Sequence, residues 1–357
     1  MKKRNRVGKV QTVLGLIESD TLGITLPHEH LLTDLSTYFV EPSEASQRKL
    51  AYESVRIENL GWIKTHRMNN IDDLRLTDES VAIEEAMLYK KAGGDTIVEV
   101  SSIGLCRDPE GLARISRATG LNIVMGSGYY VGASHPPDLV KKSEEEIAEE
   151  IVRDILVGVG ETGICAGIIG EIGCTIPLLE EEKKVLRASA MAQQRTGAAI
   201  SVHPSSRDDL VLEIVDILGE AGADLHHTII CHVNYFGFCR DTLCRIADAG
   251  CYIEIDNFGR PAVPYPIFLY GKLIDMPNDT QRIDSVKQLI DYGYIDRILI
   301  SHDICFKTDL INYGGNGYAH ILYNVISWMR FKGIHDDQIR NIMINNPKRI
   351  LKFFPTN

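Results

Sequence analysis

The sequence contains no long apolar run, no excess of basic residues and no closely spaced cysteine pair, and each absence excludes a class of protein. No run approaches the roughly 18 apolar residues that a membrane span needs. The charged start, residues 1–6, is not followed by the apolar segment of a signal peptide. The net charge is −11 and no basic stretch is sustained, so we expect neither nucleic acid nor a membrane surface as a partner. These absences predict a cytoplasmic protein that acts on a small molecule.

The eight cysteines form no C-x-x-C pair, and several lie inside apolar runs. This pattern is typical of buried free thiols and argues against disulfides. Cys231 adjoins His232, and Cys305 follows Asp303 by two residues, so either thiol could bind a metal ion. Because free cysteine is among the most frequently buried residue types, we favour a structural role for both.

At 357 residues, of which 44% are hydrophobic, the chain can bury the core of one large domain. No change in composition marks a boundary, and no repeat or low-complexity tract is present. We therefore expect a single domain, residues 1–357, in which residues 1–9 form a solvated tail. We also expect a homodimer.

Short β-type runs alternate with helical patterns along the chain. Eight such runs are residues 24–31, 95–101, 122–128, 166–173, 199–203, 228–233, 252–256 and 297–303. One helix is predicted to open at Ser143, with Glu146 in the capping-box position, and another to end before Gly197. Strand and helix alternating eight times predict a parallel (β/α)8 barrel, with a doubly wound sheet as the alternative.

Three further segments do not fit ordinary barrel loops. Residues 33–91, which contain helices of their own, and residues 257–296 are too long, and they predict extended loops after strands 1 and 7. Long loops after strands usually belong to the rim of an active site. Residues 10–17, before the first strand, predict a short hairpin that plugs the bottom of the barrel.

Residues that commonly bind metal ions close several of these runs. They are His28, His30, Glu171, His203, His232 and Asp303. His28 and His30 are two residues apart, so on a strand both point to one side while Glu29 points away. The ends of parallel strands meet at the C-terminal face of a barrel, so the six side chains are expected to converge there.

The chemistry of this set predicts a binuclear hydrolase. A carboxylate inside an apolar run, such as Glu171 or Asp303, is costly to bury unless it holds a cation. Imidazoles and carboxylates suit zinc first, and also manganese, cobalt or iron(II). We expect two such divalent ions, and we interpret His302, which points the other way, as structural or as support for a ligand.

At these residues the chain resembles the phosphotriesterase-related (phosphotriesterase homology) family of the amidohydrolase superfamily. The likeness covers nearly the whole chain and is carried by residues 10–15, 26–31, 170–174, 297–303 and 313–318. It implies a distorted TIM barrel. By this resemblance the two histidines of the first run and Asp303 hold the more buried metal, His203 and His232 hold the exposed one, and Glu171 and a hydroxide bridge the two.

The chain departs from true phosphotriesterases in two places. Gly170 stands where they carry a bridging lysine and Glu171 follows it, so the strand must adjust locally to turn Glu171 inward. The proton relay that they carry after strands 6 and 7 has no counterpart in residues 232–235 and 255–258. We therefore expect a hydrolase of carboxylic esters in which Asp303 accepts the proton, with phosphonate or phosphotriester hydrolysis as a side activity.

Three alternatives to the esterase remain open at this point. They are a lactonase or N-acyl amide hydrolase, an organophosphate phosphotriesterase, and a small-molecule binding protein without turnover. Candidate substrate contacts follow the barrel strands and are Tyr129, Tyr130, Tyr235, Phe258 and Lys307. Lys307 and Arg260 are candidates for binding an anionic group, although a solvated surface charge is equally consistent with the sequence.

Overall fold

The structure, a computed structural model, describes residues 6–204, 207–233, 237–262 and 275–356. Its strands are β1 (Lys9–Thr12), β2 (Gly15–Glu18), β3 (Thr25–Glu29), β4 (Thr33–Asp34), β5 (Arg75–Leu76), β6 (Thr96–Glu99), β7 (Asn122–Ser127), β8 (Ile168–Gly173), β9 (Ile200–His203), β10 (Thr228–Ile230), β11 (Tyr252–Ile255) and β12 (Ile298–Ile300). Eight of them form one sheet in the order β3, β6, β7, β8, β9, β10, β11, β12.

The neighbouring strands of this sheet run parallel. The barrel closes between β12 and β3, where Asp303 N donates to His28 O at 3.3 Å. Each of the eight strands lies inside one of the predicted runs, so the predicted (β/α)8 barrel is confirmed and the doubly wound alternative is wrong.

Helices surround the barrel. Those in the described residues are α1 (Ala45–Tyr52), α2 (Leu60–Thr65), α3 (Glu79–Lys91), α4 (Pro109–Thr119), α5 (Glu144–Leu156), α6 (Glu180–Thr196), α7 (Asp208–Glu220), α8 (Arg240–Asp248), α9 (Asp279–Asp291), α10 (Ile326–Phe331), α11 (Asp336–Arg340) and α12 (Asn346–Leu351). The predicted capping box at Ser143 and Glu146 starts α5, and Gly197 ends α6 in the left-handed conformation. None of the described helices combines the length and apolar character needed to cross a bilayer.

Alternate residues of the barrel strands belong to two separate cores. On β6, Ile97 packs into the layer between strands and helices, whereas Val98 belongs to the barrel interior. The interior cluster also includes Val10 of the β1–β2 hairpin, and Val13 N bonds Ile123 O near the start of β7 at 2.9 Å. As predicted, the hairpin therefore plugs the end of the barrel at which the strands begin.

The long loop after β3 contains β4, β5 and helices α1 to α3, as predicted. It is fastened to the loop after β12 at Asp73, whose Oδ1 accepts Thr308 N at 2.8 Å and whose carbonyl accepts Lys307 N at 2.9 Å. The loop after β11 leads into α9, and its residues 263–274 lie outside the described residues. Both long loops start at the C-terminal ends of strands.

Candidate metal centre

The structure brings the six predicted ligand side chains together at the C-terminal face of the barrel. Glu171 lies at their centre. Its Oε1 is 2.9 Å from His203 Nδ1, 2.9 Å from His232 Nε2 and 3.5 Å from His28 Nε2. One carboxylate oxygen thus faces nitrogens from three strands, which places Glu171 between the histidine of the first barrel strand and those of the fifth and sixth.

Asp303 lies on the opposite side of the cluster, where the barrel closes. Its Oδ1 is 3.4 Å from His30 Nε2 and 3.7 Å from His28 Nε2. His30 Nε2 is also 3.9 Å from Glu171 Oε2. The His28, His30 and Asp303 side chains therefore face one another as the sequence predicted.

A local irregularity of β8 turns Glu171 into the barrel. The pairing of β8 shifts register against β7 at Ser127 and against β9 between Ile169 and Ile172. Gly170 has φ +137°, and a Cβ there would lie 2.4 Å from Ser201 O. The Gly170–Glu171 peptide bond is cis. The predicted backbone adjustment is thus a β-bulge at a position that only glycine fits.

Two histidines are oriented by hydrogen bonds on the nitrogen that faces away from the cluster. His28 Nδ1 lies 3.0 Å from Glu254 Oε2. His30 Nδ1 lies 2.9 Å from Ser101 Oγ, which itself donates to Glu99 Oε1 at 2.6 Å. Because these partners accept the Nδ1 proton, each Nε2 presents a lone pair to the cluster, as metal-binding histidines do.

His232 is held in the same way by Asp256. Asp256 Oδ1 accepts from His232 Nδ1 at 2.9 Å, and its Oδ2 accepts the His232 backbone N–H at 3.0 Å. The sequence analysis missed both Asp256 and Glu254. The alternation of β11 could have located them, since Tyr252 belongs to the barrel interior and residues 254 and 256 therefore point the same way.

His302 faces away from the cluster, as predicted. Its Nδ1 lies 2.7 Å from Glu29 Oε1, and its Nε2 accepts Ile321 N at 3.1 Å. Glu29 also accepts the backbone N–H of Ile304 at 3.0 Å. His302 and Glu29 thus form a buried pair that ties β3 to the end of β12.

Three observations show that the residues present fit divalent cations. The fully buried His28 Nε2 has no hydrogen-bond partner among the described residues. Glu171 and Asp303 are buried carboxylates that face the same imidazole nitrogens, and bound cations would offset the cost of burying them. The donors are imidazole nitrogens and carboxylate oxygens, which suit zinc, manganese, cobalt and iron(II).

The carboxylates nearest these nitrogens are held ionised. Burial alone would raise the pKa of Glu171, but His203, His232 and His28 outweigh it and lower that pKa well below its usual range. Burial also opposes ionisation of Asp303, and the Arg260 guanidinium and His30 reverse that effect and lower its pKa. Both groups are therefore in the form that binds cations.

Arg260 is buried, so the interpretation of a solvated surface charge is wrong. Its side chain is 5% exposed, and Nη2 donates to Asp303 Oδ2 at 2.7 Å and to the Asp303 carbonyl. Asn257 Nδ2 donates to the same Oδ2 at 3.2 Å. These bonds occupy Oδ2, which also lies 3.7 Å from His232 Nδ1, and they leave Oδ1 as the oxygen that faces the Nε2 atoms of His28 and His30.

Of the predicted substrate contacts that the structure describes, Tyr130 lies nearest to the cluster. Its ring meets His203 edge-on with centroids 5.3 Å apart, and its hydroxyl bonds Tyr38 at 3.1 Å. Phe258 is buried within the same loop as Arg260, two residues before it. Tyr130 is therefore the predicted contact best placed to touch a molecule bound at the cluster.

The other predicted contacts have partners elsewhere or cannot be placed. Tyr129 turns to Glu150 and Lys142 on the helix side. The Lys307 ammonium pairs with Asp72 in the long loop after β3. Tyr235 lies outside the described residues. For these three, contact with substrate stays a prediction.

A cavity of about 390 Å³ opens between the loops that follow β11 and β12. Its lining includes Lys64, Arg260, Asn316 and Trp328. Arg260 is the side chain shared by this cavity and the metal-binding cluster. The cavity is thus one place beside the cluster where a small molecule has room.

The fold and the cluster together define a (β/α)8-barrel protein with a candidate two-metal centre. The sequence profile of the phosphotriesterase family matches residues 8–351, and the chain belongs to this family. It is 42% identical to an N-acetyltaurine hydrolase of Dictyostelium discoideum over 366 residues, covering 97% of this chain and 98% of that protein. The human N-acetyltaurine hydrolase is 41% identical over 347 residues, with 97% and 98% covered.

A solved structure also resembles the chain over nearly its whole length. The crystal structure of a resiniferatoxin-binding protein from Rhodobacter sphaeroides has a TM-score of 0.92 and 36% identity, covering 97% of this chain and 95% of that one. The comparisons support the general class predicted from the sequence, a metal-dependent hydrolase. They do not support the ester specificity, because the hydrolases among these relatives are named for an amide.

Proposed function

We propose that the protein is a metal-dependent hydrolase of N-acyl amides, with N-acetyltaurine as the first substrate to test. The observation that carries the metal-dependent part is the buried Nε2 of His28, which has no hydrogen-bond partner in the part of the chain that the structure describes and faces a cluster of imidazoles and carboxylates. The amide part is supported by relatives more than 40% identical that are named for N-acetyltaurine.

In this proposal the histidines that end the first strand and Asp303 hold one ion, His203 and His232 hold the other, and Glu171 bridges them. Bound divalent ions would acidify a water molecule and polarise the scissile carbonyl. Glu254 and Asp256, the buried acids behind His28 and His232, fix these two imidazoles so that their Nε2 atoms stay aimed at the cluster. That Asp303 also accepts the proton stays a prediction.

Removal and restoration of metal tests the hydrolase. Chelated protein should release no taurine from N-acetyltaurine, and reloading with zinc or manganese should restore release in proportion to the metal bound, up to about two ions per chain. Glu171→Gln is the matched variant, because a neutral amide bridges two cations poorly. A fully metal-loaded protein that binds N-acetyltaurine without turnover would instead favour the binding-protein alternative.

Carboxylic ester hydrolysis is the second candidate, and one observation favours it. Asp303 Oδ2 already accepts from Arg260 and Asn257, so it is poorly placed to pass a proton to a leaving group. An ester leaves as an alkoxide or phenolate, which needs protonation less than the amine of an amide does. The comparison of kcat/KM for N-acetyltaurine, aryl acetates, lactones and a phosphotriester decides between the classes, since the ratio reports differential transition-state stabilisation.

A further inference from the structure

Arg260 lies in the loop after β11, and its guanidinium forms hydrogen bonds with two oxygens of Asp303, which follows β12. Its Nη2 donates both to Asp303 Oδ2 and to the Asp303 carbonyl oxygen. Arg260 is itself fixed, since its N–H donates to Asn257 O at 3.2 Å and its carbonyl accepts from Arg282 Nη1 at 3.3 Å. The contact is therefore a buried brace between two loops of the metal-binding face.

The two oxygens of Asp303 have different neighbours. Oδ1 faces the Nε2 atoms of His30 and His28. Oδ2 accepts from Arg260 and Asn257 and lies 3.7 Å from His232 Nδ1, the nitrogen that Asp256 already holds. The terminal torsion of an aspartate is broad, so an unbraced carboxylate can turn either oxygen, or both, toward the cluster. The contact with Arg260 holds the carboxylate in the orientation in which Oδ1 faces the cluster.

We propose that Arg260 is a positioning residue of the metal centre, which fixes Asp303 so that Oδ1 alone is presented to the ions. The inference rests on the proposed metal-dependent function. It explains why the guanidinium is buried beside a carboxylate that would otherwise be available to bind metal through both oxygens.

The backbone of Asp303 provides a second reason for the brace. Asp303 has φ +53°, in the left-handed region that is uncommon for residues other than glycine. A donor that holds the carbonyl and the carboxylate of the same residue keeps that conformation in place.

A lysine in place of Arg260 would present a flexible point charge without a planar fork. It should therefore restore the charge but not the full positioning of Asp303.

The chain offers a matched control in Arg67. Arg67 is also buried and pairs with Asp309 in the loop after β12. The guanidinium groups of Arg67 and Arg260 both lie over the Phe306 ring, at 4.3 and 5.6 Å from its centroid. Loss of Arg67 thus removes a comparable buried ion pair and ring contact at a carboxylate that does not face the cluster.

The experiment compares metal-loaded wild type with Arg260→Lys, Arg260→Met, Arg67→Lys and Arg67→Met. The rate of zinc transfer to a chelator and the visible spectrum of the cobalt-substituted protein are measured on protein shown to be folded by circular dichroism. Arg260→Met should lose metal roughly 10- to 100-fold faster and change the cobalt spectrum, as expected when a partner of a ligand is removed. Arg260→Lys should fall between Arg260→Met and wild type.

The Arg67 variants should lower stability while leaving metal loss and the cobalt spectrum at wild-type values. If the folded Arg260 variants keep metal and spectrum like the Arg67 variants, the positioning role is overturned while the metal centre stands. If wild type itself binds no metal, the proposed function fails and this inference fails with it. Should Arg260→Met not fold, Arg260→Lys alone decides by the same two measurements.

Discussion

Asp73, which fastens the long loop after β3 to the loop after β12, should make stability depend on pH. Burial raises the pKa of Asp73 to about 7, against an ordinary value of 3.8, although Arg67 and the Thr308 N–H oppose the shift. Because the pKa is higher in the folded state, the folded protein holds this proton more tightly than the unfolded chain does. The stabilisation from protonated Asp73 is therefore complete below pH 3.8 and is lost as the pH rises through about 7. The slope in between is about 1.4 kcal/mol per pH unit.

Asp73→Asn keeps an acceptor for the Thr308 N–H and cannot ionise, so it isolates this effect. Between pH 5 and pH 8 the free energy of unfolding of the variant should improve relative to wild type by roughly 3 kcal/mol. Urea denaturation of both proteins at a series of pH values, with metal loading matched, measures the difference directly. A difference that is constant across this range would show that Asp73 is ionised throughout in the folded protein and would refute the reasoning.

Three further substitutions test the centre itself. Asp303→Asn should lower kcat for the best substrate by roughly 10²–10⁴-fold, and near-wild-type turnover with full metal content would show that another residue takes the proton. Gly170→Ala should destabilise the protein by about 1–3 kcal/mol and displace Glu171. Wild-type metal content and stability in this variant would contradict the role given to the bulge. Glu254→Gln should weaken zinc binding roughly 10- to 100-fold; unchanged affinity in a competition titration would mean that His28 needs no such partner.

The barrel and the set of six clustered side chains could be predicted because both depend on local pattern. Each barrel strand is an apolar run bounded by polar or glycine residues, and His203, His232 and Asp303 close or follow such runs. Parallel topology then brings the ends together without any knowledge of distances. For Glu171 to face the same interior, the backbone of its strand had to depart from regular pairing, and the β8 bulge is that departure.

Other features of the site depend on pairing between distant residues and could not be predicted. That Glu254 meets His28, and Ser101 meets His30, is set by strand register and barrel closure, which one sequence does not reveal. Arg260 lies in a loop with prolines nearby, and nothing local distinguishes a buried guanidinium from a solvated one. The contact between Arg260 and Asp303 depends on how the loops after β11 and β12 meet, which the sequence does not reveal.

The bulge of β8 also implies a rule for recognising related sequences. A Cβ at Gly126 on the adjacent strand β7 would lie 2.0 Å from the Gly170 carbonyl oxygen, so the inward turn of Glu171 requires glycine at both positions. A homologue with Gly-Glu at the end of its fourth barrel strand should therefore also carry glycine at the facing site of its third. We therefore expect paired glycines on these two strands to mark homologues in which the same bulge turns a glutamate into the barrel.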